Sequence, residues 1–209
     1  MSAAGRGMGA QVDMSDETLT LRTESAGGTL DLAGAFMMLL KPGDVVALTG
    51  TLGAGKTCFV KGLGRALGID PAEVRSVSFL LMKEHAGSMS LYHFDAYRLE
   101  SADELEAIGC QEAFEGRGVC AVEWADRVRE CLPPDRFSVH MEVTGEQTRL
   151  IRVSGTGPDT AGRLAAGAEE LAPWTVPEQE ETAEAAFALR ATWQTAGSMS
   201  RYASATPTL

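Results

Sequence analysis

The sequence predicts an α/β sandwich in which helices cover a central mixed, mostly parallel sheet. Apolar runs typical of buried strands alternate with helical patterns through the middle of the chain. Strands with one apolar face lie towards the ends of this core, and the last two are joined by TGEQ into an antiparallel hairpin. An apolar content of 44% in 209 residues is sufficient for a single core.

The individual elements follow one another at short intervals. The predicted strands are TLTLRTES, VVALTG, LYHFDAYRL, GVCAVEW, RFSVHMEV and TRLIRVSG. A helix over GTLDLAGAFMMLL ends at the KPGD turn, and a second helix follows VVALTG after a glycine-rich loop. Gly62 and Gly64 each cost this second helix about 1 kcal/mol relative to alanine, which close packing against the sheet would explain.

Composition divides the chain into three parts. Residues 1–17 are polar and rich in Gly and Ala, and we expect them to be disordered. Residues 18–157 carry the alternating pattern and form the predicted domain. Residues 158–209 are a low-complexity extension in which 178–193 has the pattern of one helix with a thin apolar stripe.

Charge and apolar content exclude several classes of protein. The net charge of −11 argues against a protein that binds nucleic acid unaided, which needs a basic face. No apolar run approaches the roughly 20 residues of a membrane helix, and the N-terminus lacks signal-peptide features. The cysteines show no paired spacing. We therefore expect a cytoplasmic location and no membrane contact.

The stretch GTLGAGKTCF, residues 50–59, fits the phosphate-binding pattern G-x-x-x-x-G-K-[ST]. Backbone N–H groups of such a loop and of the following helix N-terminus solvate phosphates, Lys56 reaches the β- and γ-phosphates, and the Thr57 hydroxyl binds Mg²⁺. The pattern therefore predicts a P-loop NTPase-like fold that binds a nucleoside triphosphate. The candidate nucleotide contacts in the loop are Thr51, Gly53, Ala54, Gly55, Lys56, Thr57 and Cys58.

Two acids end apolar strands and are candidates for metal binding or for activating water. Asp95 follows LYHF and Glu123 follows VCAV, and ligands of open α/β sheets bind at the carboxyl ends of strands. A helix-capping role for Asp95 and a solvated surface position for Glu123 are the alternatives. Trp124 either shapes the site or packs in the core.

Other polar side chains carry weaker signals. Cys58 is interpreted as a small buried side chain rather than a nucleophile. Arg98, three residues after Asp95, is a candidate partner of that acid or of phosphate. The histidines have no metal-ligand spacing, so polar or core roles are expected for His85, His93 and His140.

In this order the motifs closely resemble the TsaE (YjeE) family, the small ATPase of bacterial tRNA threonylcarbamoyladenosine synthesis. The resemblance covers roughly residues 18–157, and its HFD-x-YRL and EW-x-[DE]-R segments are more specific than the phosphate loop. The segments that carry it are GDVVALTGTLGAGKTCFVKGLGRALGI, VRSVSF, LYHFDAYRLESADELEAIG and GVCAVEWADR, the last followed by LPP.

The resemblance implies a subunit that binds and hydrolyses Mg-ATP in association with TsaB-like and TsaD-like proteins. In that family TsaD, with TsaB, transfers the threonylcarbamoyl group onto adenosine 37 of ANN-decoding tRNAs. Hydrolysis of ATP by the TsaE-like subunit supports turnover of the complex. Contact with tRNA would then be indirect, through the complex, which agrees with the acidic charge.

The resemblance also implies roles for individual residues. Lys56 and Thr57 would bind phosphate and magnesium, Asp95 would help to hold the metal, and Glu123 would position or activate the attacking water. Lys56, Asp95 and Glu123 are thus the candidate catalytic residues. Trp124 would lie beside the glutamate and the nucleotide.

The sequence departs from the family pattern at several positions. The family segment S-P-T-F reads SVSF here, so Ser78 keeps a hydroxyl near the metal while the proline is lost. Thr51 replaces an acid of the family loop. In the S-x-x-E-T pattern near the nucleotide base, Ser25 and Thr29 align but Gly28 replaces glutamate.

Two other functions remain open at this point. A P-loop kinase for a nucleoside or small metabolite usually has an arginine-rich lid, which is not evident between residues 60 and 130. A nucleotide-binding interaction module without hydrolysis is the second. Asp95 and Glu123 argue against it.

Overall fold

The computed structural model describes residues 18–99 and 101–177. The chain divides after Trp174 into two compact units, and every element below belongs to the first. Of the second unit, residues 175–177 are described. The expected disorder of 1–17 and the expected helix over 178–193 lie outside the described residues.

A seven-stranded mixed sheet forms the centre of the fold, which confirms the predicted α/β class. Its spatial order is β1-β7-β6-β2-β5-β4-β3, and β6, β2, β5 and β4 pair in parallel. The other three pairings are antiparallel, including the predicted β6–β7 hairpin, so β3 and β7 run against the remaining five strands. The strands are β1 Thr18–Thr23, β2 Val45–Thr49, β3 Met82–His85, β4 Leu91–Asp95, β5 Val119–Glu123, β6 Phe137–Val143 and β7 Arg149–Gly155.

Helices cover both faces of the sheet. The α-helices are α1 Ala26–Phe36, α2 Lys56–Ala66, α3 Ala102–Ala107, α4 Cys110–Phe114, α5 Pro158–Ala166 and α6 Ala168–Leu171. Short 3₁₀ segments occupy Met37–Leu39, Ala125–Cys131 and Ala172–Trp174. Within the described part of the chain, no helix is long and apolar enough to cross a membrane.

Side chains alternate between two cores, one on each face of the sheet. On β2, Val46 and Leu48 join the core under α1 and α2, while Val45 and Ala47 join the opposite core. This explains why VVALTG is apolar throughout, because a central strand covered on both faces needs an apolar residue at every position. The first core is centred on Phe36, whose ring contacts those of Phe59 and Phe137 at 5.7 and 5.2 Å between centroids.

The sequence analysis did not identify β3. This strand reads MKEH and pairs antiparallel with β4 at the edge of the sheet. Its lysine and glutamate are typical of edge strands, where charged side chains discourage pairing with other chains. Such a composition lacks the apolar alternation that predicts a strand.

The compact unit also extends past residue 157, where the sequence analysis ended the domain. The Asp135 carboxylate accepts hydrogen bonds from the backbone N–H groups of Asp159 and Thr160, both at 3.1 Å, at the start of α5. Arg163 on the same helix donates to both carboxylate oxygens of Asp44, at 2.6 and 2.8 Å. Polar contacts across long sequence distances therefore anchor α5, and a search for apolar periodicity does not reveal them.

The two glycines of α2 differ in what they contact. A Cβ atom at Gly64 would lie 3.4 Å from Leu91 on the sheet, in line with the predicted close packing. At Gly62 it would lie 2.5 Å from the Ala33 Cβ and 2.6 Å from the Leu30 carbonyl oxygen, both on α1. Gly62 is therefore required by the contact between α1 and α2 rather than by the sheet.

We expect Gly62→Ala to lower the free energy of unfolding by about 1–3 kcal/mol, because the added methyl group forces α1 away from α2. The measurement is urea denaturation at equilibrium. Gly162→Ala is the matched control on α5, where a Cβ meets no described atom within 4 Å, and should gain up to about 1 kcal/mol. A Gly62→Ala variant as stable as the wild type would contradict the proposed packing constraint.

Candidate nucleotide site

The phosphate-binding loop connects β2 to α2 and needs glycine for steric reasons. Gly50 has φ +131°, and a Cβ there would lie 2.2 Å from the Met141 carbonyl oxygen. Gly55 has φ +106° and is the N-cap of α2, so this helix begins at Lys56 directly from the loop. The loop therefore directs the free N–H groups of a helix N-terminus towards any bound anion.

Lys56 is almost completely buried at the base of this loop. Its Nζ donates to the carbonyl oxygens of Gly50 at 2.7 Å and Thr51 at 2.9 Å, and lies 3.6 Å from the centroid of the Trp124 ring. The ammonium group thus has two hydrogen bonds and a cation–π contact.

The electrostatic surroundings of Lys56 act in opposite directions. Burial lowers the pKa of the Lys56 ammonium below its usual value, and the carboxylates of Glu123, Asp95 and Asp126 oppose that shift, Glu123 most strongly. Two of these three acids are the residues that the sequence analysis singled out.

Asp95 and Glu123 lie side by side on parallel strands. The register of β4 and β5 pairs them directly, and they are 1% and 3% exposed. The surface interpretation of Glu123 is therefore wrong. Asp95 does not cap a helix, because the next helix begins at Ala102; its Oδ1 accepts from the Tyr97 N–H at 3.0 Å in the turn after β4.

A three-residue hydrogen-bond cluster holds Glu123. Its Oε1 accepts from the Thr57 hydroxyl at 2.8 Å and lies 2.8 Å from Nε2 of His93. His93 is completely buried, as expected for a core histidine, but it also joins the site. The sequence analysis assigned it no site role, although it belongs to the HFD motif.

Two serine hydroxyls bind Asp95. Ser76 donates to Asp95 Oδ2 at 2.9 Å, and Ser78 donates to the same oxygen. The two hydroxyl oxygens are 2.8 Å apart. The structure thus brings the predicted Ser78 to Asp95 and adds Ser76, which the sequence analysis did not select.

Ser25 and Thr29, which were predicted to lie near the nucleotide base, are at the start of α1. Ser25 is the N-cap of α1, and its hydroxyl accepts from the Gly28 N–H at 3.0 Å. Thr29 is buried and shares a hydrogen bond of 2.9 Å with Thr23. It also lines a small cavity of about 190 Å³ together with Cys58.

Cys58 points towards the start of α1, where its Sγ donates to the Ala26 carbonyl oxygen at 3.4 Å. Burial raises the pKa of this half-buried thiol, which makes it a weak nucleophile. The sequence analysis expected a buried side chain, and Cys58 is half-buried instead.

Arg149 supports the phosphate-binding loop from behind and was missed in the sequence. Its guanidinium donates to the carbonyl oxygens of Ala54 at 3.0 Å and Gly53 at 3.3 Å. It also donates to Gly145 and Thr148 in the β6–β7 connection, so it ties that connection to the loop. The residue stands 95 positions from Ala54, and no local pattern marks it.

Loop and acids border one cleft of about 690 Å³. Its lining includes Gly53 and the side chains of Lys56, Thr57, Ser78, Asp95 and Glu123. The exposed ring of Phe79 lies at the rim, 5.1 Å from the Arg98 guanidinium carbon. Within the described part of the chain, Arg98 therefore contacts this ring rather than pairing with Asp95.

Trp124 lines the same cleft in a strained conformation. Its φ of +57° is rare for a residue other than glycine and costs roughly 1–2 kcal/mol. The ring packs 4.9 Å from the Tyr97 ring, between centroids, and against the second core. Trp124 thus combines both roles considered in the sequence analysis.

The side-chain oxygen atoms around the cleft are ligands that suit magnesium. Among the described residues, no group of three or more His, Cys, Asp or Glu is arranged as a metal site. Two carboxylates and two hydroxyls, from Asp95, Glu123, Thr57 and Ser78, suit a cation that keeps several waters and shares phosphate oxygens.

The fold and this loop define a nucleotide-binding protein of the P-loop class. Residues 23–151 match the family model of the threonylcarbamoyl adenosine biosynthesis protein TsaE. The match spans more than half of the chain, which therefore belongs to the TsaE family.

Individual relatives agree with the family match. The chain is 42% identical over 139 residues to the tRNA threonylcarbamoyladenosine biosynthesis protein TsaE of Bacillus subtilis, covering 66% of this chain and 84% of the relative. It is 45% identical over 116 residues to the Treponema pallidum protein of the same name, covering 56% and 85%. The crystal structure of Bacillus subtilis YdiB superposes with a TM-score of 0.60 at 36% identity, covering 75% of this chain and 95% of that one.

We expect Arg149→Met to increase amide hydrogen exchange in the loop, most clearly at Ala54, whose N–H donates to the Thr51 carbonyl. Hydrogen bonds to a charged group contribute about 1.5–3 kcal/mol, so exchange should quicken by roughly tenfold to a hundredfold. Arg152→Met is the control on the same strand, where the guanidinium pairs with Glu142 instead. Unchanged exchange at Ala54 in Arg149→Met would show that the loop does not depend on Arg149.

Proposed function

We propose that this protein is the Mg-dependent ATP-binding and ATP-hydrolysing subunit of tRNA threonylcarbamoyladenosine biosynthesis. One observation carries the ATPase part: Lys56, Thr57, Asp95 and Glu123 line a single cleft beside the phosphate-binding loop. Membership of the TsaE family, and the printed names of the relatives, support the pathway.

Binding of ATP would use the backbone donors of the loop together with Lys56. The Lys56 ammonium would exchange the Gly50 and Thr51 carbonyls for phosphate oxygens, since Lys56 lines the cleft directly after the loop. Thr57, Ser78 and Asp95 supply oxygens for magnesium, which would neutralise phosphate charge when bound.

Glu123 is the proposed catalytic carboxylate. It is buried at the carboxyl end of β5 and lines the cleft, where a carboxylate can orient a water molecule and accept its proton. Asp95 is less suited to this step, because one of its oxygens binds two serines and the other binds the Tyr97 N–H.

The protein is proposed to act in the cytoplasm with TsaB-like and TsaD-like partners. The net charge of −11 supports an indirect contact with tRNA, because an acidic subunit is poorly suited to bind a polyanion without help. Transfer of threonylcarbamoyl to adenosine 37 of ANN-decoding tRNAs is assigned to the partners. Hydrolysis by this subunit would support their turnover.

Glu123→Gln should lower the rate of ATP hydrolysis at least about a hundredfold while leaving ATP binding in place, because the amide keeps the side-chain length and an oxygen that can accept from Thr57 but cannot take up the proton. Lys56→Ala should weaken ATP binding itself. Both are measured by steady-state hydrolysis and by titration with a fluorescent ATP analogue. The matched controls are Glu142→Gln and Lys83→Ala, two charged residues away from the cleft. Normal hydrolysis in Glu123→Gln would remove Glu123 from the mechanism.

Slow hydrolysis by the protein alone should rise when the TsaB-like and TsaD-like proteins are added. Fast hydrolysis whose rate does not change when the partners are added, together with phosphoryl transfer to one of a set of nucleosides, would favour a kinase. No hydrolysis under any condition would favour a nucleotide-dependent interaction module.

A further inference from the structure

His93 lies completely buried on β4, one strand away from Glu123. Its Nε2 is 2.8 Å from Glu123 Oε1, the same oxygen that accepts the Thr57 hydroxyl. Both described hydrogen bonds to this carboxylate therefore involve one oxygen. Two donors in different directions restrict rotation of the carboxylate and leave Oε2 for a ligand or water.

The hydrogen-bonding pattern fixes the tautomer of His93. The Glu123 oxygen is an acceptor, so Nε2 carries the proton, and Nδ1 has no hydrogen-bond partner among the described residues. Burying a polar ring with one unsatisfied nitrogen is costly, and an apolar side chain would avoid that cost. The core alone gives no reason for histidine here, whereas the contact with Glu123 does.

We propose that His93 is a positioning residue for Glu123. It holds Oε1 beside Thr57, so that the other oxygen is presented to the cleft. The kinetic consequence of this role rests on the proposed ATPase function, whereas the contact itself does not. A purely structural role for His93 is the alternative that an experiment must exclude.

A matched control stands next to His93. His85 on β3 is 3% exposed, and its ring centroid lies 6.2 Å from that of His93 with the planes inclined by 30°. Its Nε2 likewise has no hydrogen-bond partner among the described residues. His85 shares the burial and the stacking but not the contact with Glu123.

The first test compares His93→Leu, which removes the donor, with His93→Gln, whose amide N–H can reach the same oxygen. Residues that orient a catalytic ligand typically contribute about 10–100-fold, so kcat for ATP should fall by that factor in His93→Leu with KM little changed. His93→Gln should recover most of kcat, and His85→Leu should behave as wild type. Equal losses in all three variants, or no loss in His93→Leu, would overturn the proposal.

A double-mutant cycle decides whether His93 acts through Glu123. In single-turnover measurements, His93→Leu should cost nothing further in a Glu123→Gln background, because the group that it positions is already gone. A full additional loss there would assign His93 a separate role and overturn the proposal.

A third measurement does not need hydrolysis. The side-chain carboxyl resonance of Glu123, assigned by its absence in Glu123→Gln, should shift in ¹³C NMR spectra of His93→Leu and stay in place in His85→Leu. No shift in His93→Leu would overturn the contact. Absent hydrolysis in the wild type together with the expected shift would reject the proposed function while supporting the positioning of Glu123.

Discussion

Parallel pairing of β2, β5 and β4 is the constraint on which the site depends. The backbone hydrogen bonds of these strands bring their carboxyl ends to one edge of the sheet, with Leu48 opposite Glu123 and Glu123 opposite Asp95. The phosphate-binding loop leaves β2 at this same edge. An antiparallel strand in either place would carry its acid to the opposite edge, far from the loop. The direction of the strands therefore determines that Asp95, Glu123 and the loop lie together, and the identities of these side chains then determine the chemistry of the site.

Most buried polar groups of the site satisfy one another, with Nδ1 of His93 as an exception among the described residues. Glu123 binds Thr57 and His93, Asp95 binds two serines, and Lys56 binds the carbonyl oxygens of its own loop. Leaving a neutral group buried without a partner costs about 1–3 kcal/mol, and these charged groups would cost more. A bound phosphate group would consequently have to replace contacts that already exist with contacts of its own. The net free energy gained from each new contact is then smaller than the energy of that contact alone. The affinity of the site therefore depends on how many contacts are replaced together.

Local patterns predicted six of the seven strands, the loop and the acids at the strand ends, because each of these features depends on about ten neighbouring residues. Local sequence patterns could not predict contacts between residues that are far apart in the chain. Arg149 and Ala54 are 95 positions apart, and Arg163 and Asp44 are 119 apart, yet these pairs support the loop and anchor α5. The competing interpretations of Glu123 could not be resolved from its neighbours either, since its burial depends on which strands flank β5.

Trp124 shows how the fold maintains a strained backbone beside Glu123, the proposed catalytic carboxylate. Its left-handed conformation turns the chain sharply from β5 into the 3₁₀ segment Ala125–Cys131, directly after Glu123. The Trp124 ring compensates for the strain by packing on Tyr97 and under the Lys56 ammonium. The turn thus ends β5 at Glu123, so that this side chain stands at the carboxyl end of its strand, beside the phosphate-binding loop. The left-handed turn at Trp124 also brings its ring against the Lys56 ammonium. One strained residue therefore helps to position both the Glu123 carboxylate and the Lys56 side chain.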